Sequence, residues 1–233
     1  MQIELNRCTV CGGSDHTLSK ILWPELIADW KLSTEEVNYI DIQQGYSCRK
    51  CNCNLRSMTL ASAFMSLSDF AGTFTEFCSN PTSAPSGGVL EINSAGQLTP
   101  FLERIPGYRL VSYPEVDMQN MAAIGNETFE IVLHSDTLEH IPDPVQALRE
   151  CLRVLKPGGQ LLYTVPIIVG RLTRRRDGLS PSYHGDYKNP RADHLVVTEY
   201  GADAWCQLLE AGFAAASIFS LSYPHSLALI GKK

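Results

Sequence analysis

The sequence predicts an α/β protein: a mostly parallel sheet covered by helices, preceded by a small cysteine-rich module. Two observations carry that reading. Residues 129–166 run strand, loop, helix, tight turn, strand, and Cys8-x-x-Cys11 and Cys48-x-x-Cys51 form two knuckles near the start of the chain. Within the first stretch, Ile131, Val132 and Leu133 make the short apolar run of a strand buried on both faces. Ser135, Asp136 and Thr137 put polar groups at its carboxyl end. Val145, Leu148, Leu152 and Leu155 recur at helical spacing, leaving Arg149, Glu150 and Arg153 for the wet side. Lys156 reads as a last-turn cation, Pro157-Gly158-Gly159 as the stop, and residues 160–165 as the next strand. Such a βαβ unit implies parallel strands and a right-handed crossover.

The order Asp136-x-x-Glu139-His140-Ile141-x-Asp143-Pro144, a helix, then Leu155-Lys156-Pro157-Gly158-Gly159 resembles the central βαβ of class I S-adenosylmethionine-dependent methyltransferases, type 11/23-like. The resemblance implies a Rossmann-like sheet with an antiparallel terminal strand. It also implies S-adenosylmethionine as cofactor and methyl transfer as the activity.

With 233 residues, 44% hydrophobic and 19% charged, the chain can bury one sizeable domain and a small one. No apolar run reaches the length of about eighteen residues that spans a membrane. The opening MQIELNRC lacks a basic region followed by an apolar core, so no signal peptide and a cytoplasmic location are expected. A formal charge of −6 argues against a nucleic-acid surface. Eight cysteines without a secretion signal point to thiols and metal rather than disulfides.

Each knuckle can place two thiolates on one side of a tight turn, so Cys8, Cys11, Cys48 and Cys51 can close a tetrahedral site for Zn²⁺. Gly12-Gly13 lets the chain bend so that backbone N–H groups face the sulfurs, and Cys53 reads as a spare thiol. Four thiolates fill the shell, which makes the zinc structural rather than catalytic. Between the knuckles, Ser33-x-x-Glu36 can start a helix as a capping box, and Trp23, Leu26, Ile27 and Trp30 form an apolar stripe for packing. Residues 1–60 are close to charge balance, which is no footprint for phosphates. Residues 61–78 read as one amphipathic helix with Phe64, Leu67, Phe70, Phe74 and Phe77 on its apolar face, and residues 80–88 as a linker rich in Pro, Ser and Gly. The expected division is a zinc-binding module at 1–60, a linking helix and linker at 61–86, and a methyltransferase domain at 87–233. The double knuckle also resembles the small cysteine module found ahead of some sugar C-methyltransferases.

In the methyltransferase family the first strand ends in an acidic residue and a turn close to Glu-x-Gly-x-Gly-x-Gly. Here Glu91-Ile92-Asn93-Ser94-Ala95-Gly96-Gln97 puts Asn, Ala and Gln where three glycines are usual. Asn tolerates the left-handed conformation and Ala is the smallest substitute, so a turn survives. The resemblance places Glu91, Asn93, Ala95 and Gly96 at the methionine part of the cofactor. It places Tyr113 beside the adenosine, Asp117 and its neighbour Met118 at the adenine, and Ser135 at the end of the central strand, with Glu115 as a fallback ribose ligand. The short connection from Tyr113 to Asp117 resembles a subgroup that acts on sugars or polyketide-like molecules.

Beyond Pro166, a long polar segment falls past the carboxyl ends of the strands, where open α/β sheets bind ligands. It is expected to cap and select the acceptor. Its Arg171, Arg174, Arg175 and Arg176 read either as a binder of phosphate or carboxylate or as a solvated basic run. Residues 198–209 read as a helix, and 214–222 and 226–230 as a terminal hairpin around Pro224. Methyl transfer is an in-line displacement that can need a base. His184 is the first candidate, oriented by Asp186 or Tyr183; His194, beside Asp193, is the second. His140 reads as a tie for its loop. The expected function is methyl transfer to a small molecule: a sugar, a glycan precursor or a secondary metabolite. The alternatives are a non-catalytic binding protein with a degenerate cofactor loop, and an RNA methyltransferase that uses the zinc module as a reader.

Overall fold

In the computed structural model, residues 5–68, 70–80, 82–183 and 192–233 are described. The N-terminal part comprises β1 (His16–Leu18), α1 (Pro24–Asp29), α2 (Thr34–Gly45) and β2 (Tyr46–Cys48), followed by α3 (Leu55–Met65) and α4 (Phe74–Ser79). The remainder comprises β3 (Val89–Ile92), α5 (Thr99–Leu102), β4 (Tyr108–Val111), β5 (Phe129–Ser135), α6 (Pro144–Val154), β6 (Leu155–Thr164), β7 (Ile167–Ile168), β8 (Arg174–Arg175), β9 (Thr198–Gly201), α7 (Cys206–Ala211), β10 (Ala215–Ser222) and β11 (Ser226–Lys232).

The main sheet has the order β10-β11-β6-β5-β3-β4. Strands β4, β3, β5 and β6 are parallel, and β11 runs antiparallel between β6 and β10. That is the expected mostly parallel, Rossmann-like sheet with an antiparallel terminal strand. Alternation along β5 divides its side chains between two cores. Val132 faces the layer made by α6 and α7 with Leu148, Cys151 and Leu208, whereas Ile131 and Leu133 face α3 and α4 with Met58, Phe64 and Phe77. The result is a three-layer αβα arrangement whose strand carboxyl ends gather at one edge.

Local chemistry sets the helix starts. Ser33 and Glu36 form the expected capping box on α2, the Asn54 side chain accepts from Ser57 N–H at 2.9 Å on α3, and Asp143 caps α6 ahead of Pro144. Three expectations are corrected. Residues 61–78 are two helices, since α3 ends at Met65 and α4 begins at Phe74. Helix α6 ends at Val154, so Lys156 lies in β6 and its ammonium donates to Gly87 O at 2.9 Å. Residues 198–209 are strand β9 followed by α7, because Thr198, Glu199 and Tyr200 are buried in a small sheet of order β7-β9-β8.

The cysteine module sits directly on this body. Strands β1 and β2 form an antiparallel ribbon, and the carbonyls of the chain before β1 accept from α4: Phe74 N–H donates to Thr9 O at 2.9 Å and Thr75 N–H to Val10 O at 3.0 Å. Val10, Cys8, Cys48 and Cys53 are buried in the same core as Met58 and Phe64. Residue 60, where the module was expected to end, lies inside α3.

Candidate cofactor and acceptor site

The turn after β3 is organised by Glu91. Its side chain is fully buried, and the carboxylate accepts from Ala95 N–H, from Thr99 Oγ1 at 2.7 Å and from the Tyr108 hydroxyl. Glu91 thus braces the loop from beneath. Asn93 adopts φ +52, the left-handed conformation, and its Oδ1 accepts from Tyr113 N–H at 3.0 Å, tying the end of β3 to the end of β4. Gly96 has φ +65, and a Cβ built there would meet nothing within 4 Å among the described residues, so the backbone borders space that they leave open. Ala95 is buried behind it. A turn held open at Gly96, with Asn93 and Gly96 both at positive φ, is shaped for a ligand that lies against the main chain.

The remaining cofactor candidates surround that turn to different degrees. Tyr113 is 59% exposed, with its ring free to lie along a bound group. Asp117 accepts from Gln119 N–H at 2.8 Å and stays half-buried in a turn rather than a strand. The Met118 side chain is in the core, so only its main chain is left for a ligand. Ser135 is buried and pairs with Thr164 Oγ1 at 2.8 Å, which locks the ends of β5 and β6 together.

Next along the chain, Asp136 adopts φ +44, and its carboxylate forms an ion pair with Arg56 of α3 and accepts from Gln44 Nε2 of α2 at 3.3 Å. Arg56 also donates to Gln44 Oε1 at 2.6 Å, and burial pulls its pKa down to about 10. Neither residue stood out in the sequence. Arg56 has no local motif, and its partner is 80 residues away. The second knuckle, the Asn54 cap and Arg56 follow one another, so the cysteine module sets where this guanidinium reaches the strand ends.

Helices α1 and α2 lie over the same edge. Trp30, Tyr39, Ile168 and Val196 form a separate small core between these helices and the segment after β6. Every arginine of the run has a partner within the protein, although Arg174 and Arg175 stay exposed and only Arg176 is buried. Arg171 pairs with Glu36 at 2.7 Å and donates to Trp30 O, Arg174 pairs with Glu199 at 2.7 Å, and Arg176 binds Glu199, Asp29 at 2.8 Å and the face of Trp30. Arg175 meets Asp177 and Pro142 O. Arg171 and Arg176 fasten the N-terminal helices onto this edge, while Arg174 and Arg175 are paired within the segment itself and with the loop before α6. His184, together with Asp186, lies outside the described residues. His194 is half-buried, 6.5 Å from His140 between ring centroids, while His140 Nδ1 contacts Leu195 O at 2.9 Å.

The four knuckle cysteines meet as the spacing predicts. Their sulfurs all lie within 4.8 Å of one another, with Cys8–Cys51 and Cys11–Cys48 at 3.6 Å. Thiolates about 2.3 Å from a tetrahedral zinc are about 3.8 Å apart, so the set fits that ion. Gly13 is required by the approach, since a Cβ there would stand 3.1 Å from Cys48 Sγ and 3.4 Å from Cys11 Sγ. Cys53 is buried outside the set.

The fold and the turn after β3 define a Rossmann-like domain with its ligand edge at the strand carboxyl ends. Residues 90–163 match the family model described as "Methyltransferase domain". A "Ubiquinone biosynthesis O-methyltransferase" of Stutzerimonas stutzeri is 37% identical over 54 residues, 23% of this chain and 23% of that protein. A protein of the same description from Pseudomonas savastanoi aligns at the same identity and coverage. The chain thus matches about a quarter of the length of these relatives. Among solved structures, a SAM-dependent methyltransferase of Thermotoga maritima is 17% identical with a TM-score of 0.40, covering 75% of this chain and 92% of that one.

Proposed function

We infer that this protein is an S-adenosylmethionine-dependent methyltransferase acting on a small molecule. The observation that carries the reading is the turn after β3: Asn93 in the left-handed conformation, Gly96 facing space that the described residues leave open and Glu91 bracing both from below. The loss of three glycines is absorbed by that geometry, which supports binding over a disabled site. When bound, S-adenosylmethionine supplies an electrophilic methyl group on a sulfonium. The main chain of residues 93–96 would hold its methionine part, with Tyr113 and Asp117 toward the adenosine.

The chain's own residues do the rest. Asp136, Arg56 and Gln44 offer hydrogen bonds to an acceptor hydroxyl at the strand ends, and α1 and α2 shield that edge from water. Proton removal falls to His194, which stands beside the loop that follows β5, or to His184. Zinc in the cysteine cluster is structural and fixes the start of α3, and so Arg56. Among the acceptor classes that the sequence suggests, the apolar cavity between α1, α2 and the segment after β6 favours a secondary metabolite over a sugar. The test is incubation with trideuteromethyl-labelled cofactor and a metabolite extract, read by mass spectrometry. Labelled products that require the protein support methyl transfer. A folded, cofactor-binding protein that labels nothing would favour the non-catalytic alternative.

A further inference from the structure

Leu26, Trp30, Leu32, Ile40, Pro166 and Ile168 line an apolar cavity of about 50 Å³ between α1, α2 and the start of the segment after β6. We propose that this cavity is the specificity slot of the acceptor site and seats a short branched alkyl group carried by a hydroxyl-bearing acceptor. The proposal rests on the methyltransferase reading and names the acceptor chemistry of that site.

Position comes first. Ile40 and Gln44 are one turn apart on α2, and Gln44 contacts both Asp136 and Arg56. Pro166 and Ile168 follow Thr164, whose carbonyl accepts from Asp136 N–H at 2.9 Å. The slot therefore lies one helical turn, a rise of about 6 Å along α2, from Gln44 and its contact with Asp136. That is close to the span from the hydroxyl of a phenol to its para substituent.

Chemistry comes second. Every lining side chain, Leu22 included, is apolar or aromatic, and the Trp30 indole N–H is already donated to Ser182 Oγ at 2.9 Å. A sugar hydroxyl placed there would lose its water without gaining a partner. Size comes third. A cavity of ~150 Å³ admits the six carbons of benzene, so one about a third as large admits no ring and takes about two carbons, the buried part of an isopropyl group.

The test uses 4-isopropylphenol and phenol as probes of the full chain, read by the NMR shift of the Trp30 indole N–H, which is identified by its loss in Trp30→Phe. S-adenosylhomocysteine is titrated separately by calorimetry. Each buried carbon is worth about fourfold in affinity, so partial burial of three carbons predicts at least a tenfold preference for 4-isopropylphenol. Ile40→Trp, which fills the slot, removes that preference and leaves the S-adenosylhomocysteine affinity unchanged. If Ile40→Trp fails to fold, Ile40→Ala must move the preference toward 4-tert-butylphenol; an unchanged ranking overturns the proposal. Cofactor binding with no difference between the phenols also overturns it. A preference without S-adenosylhomocysteine binding upholds the slot and sinks the methyltransferase reading.

Discussion

His134 is a buried imidazole inside the sheet, and its replacement by phenylalanine should change how the protein responds to acid. The residue has no solvent exposure, stacks on Tyr163 with ring centroids 4.8 Å apart, and neither ring nitrogen has a hydrogen-bond partner among the described residues. Burial holds its pKa at about 3, with Glu139 opposing only in part. At neutral pH the ring is uncharged in both folded and unfolded chains. As pH falls below the unfolded value of about 6.5, the unfolded chain takes up a proton that the native state refuses, so stability is lost as acid is added. Between pH 7 and pH 5 this linkage removes about 2 kcal/mol from the wild type and nothing from His134→Phe. Urea unfolding at both pH values measures the difference, and any acid effect on the cysteine cluster is common to both proteins. At pH 7 the variant should lie within about 1 kcal/mol of wild type, since a slightly larger ring is set against two orphaned nitrogens. Parallel loss of stability in the two proteins would refute the reasoning and mean that His134 is charged or solvated in the native state.

The purified protein should carry one zinc per chain by elemental analysis, and cobalt substitution should give a tetrahedral thiolate spectrum. Cys48→Ser should lose that spectrum and Cys53→Ser should keep it. Arg56→Met leaves the Asp136 carboxylate partly buried without its cation and should destabilise the chain by about 3 kcal/mol in urea unfolding. Adding Asp136→Asn to that variant should recover part of the loss; a further additive loss would show that the pair is not coupled. Glu91→Gln sets an amide N–H against one of three donors and should cost about 2 kcal/mol, with weakened S-adenosylhomocysteine binding. Equal cofactor affinity in wild type and Glu91→Gln would remove Glu91 from its bracing role.

The central βαβ and the knuckles were legible because their signals are local. A strand buried on both faces shows as an apolar run, and paired thiols show as spacing. The break in residues 61–78 was hidden for an instructive reason. Phe64, Phe74 and Phe77 all enter one aromatic cluster, with Phe64 and Phe77 at 5.4 Å, so the apolar period persists while the chain turns between Met65 and Phe74. Periodicity reports which residues face a core, not whether one helix carries them. Residues 198–201 misled for a related reason, since β9 exists only because β7 and β8 flank it. The roles of Arg56, Gln44 and the arginine run depend on partners far away in sequence. Glu36 and Asp29 reach Arg171 and Arg176 across the whole sheet domain, and no window of sequence contains both members of those pairs.

Calorimetric titration of the zinc-replete chain with S-adenosylhomocysteine tests cofactor binding most directly. The turn built by Asn93, Ala95 and Gly96 predicts one site per chain with micromolar affinity. A demonstrably folded sample that releases no binding heat, and shows no rise in melting temperature with the ligand, would contradict it.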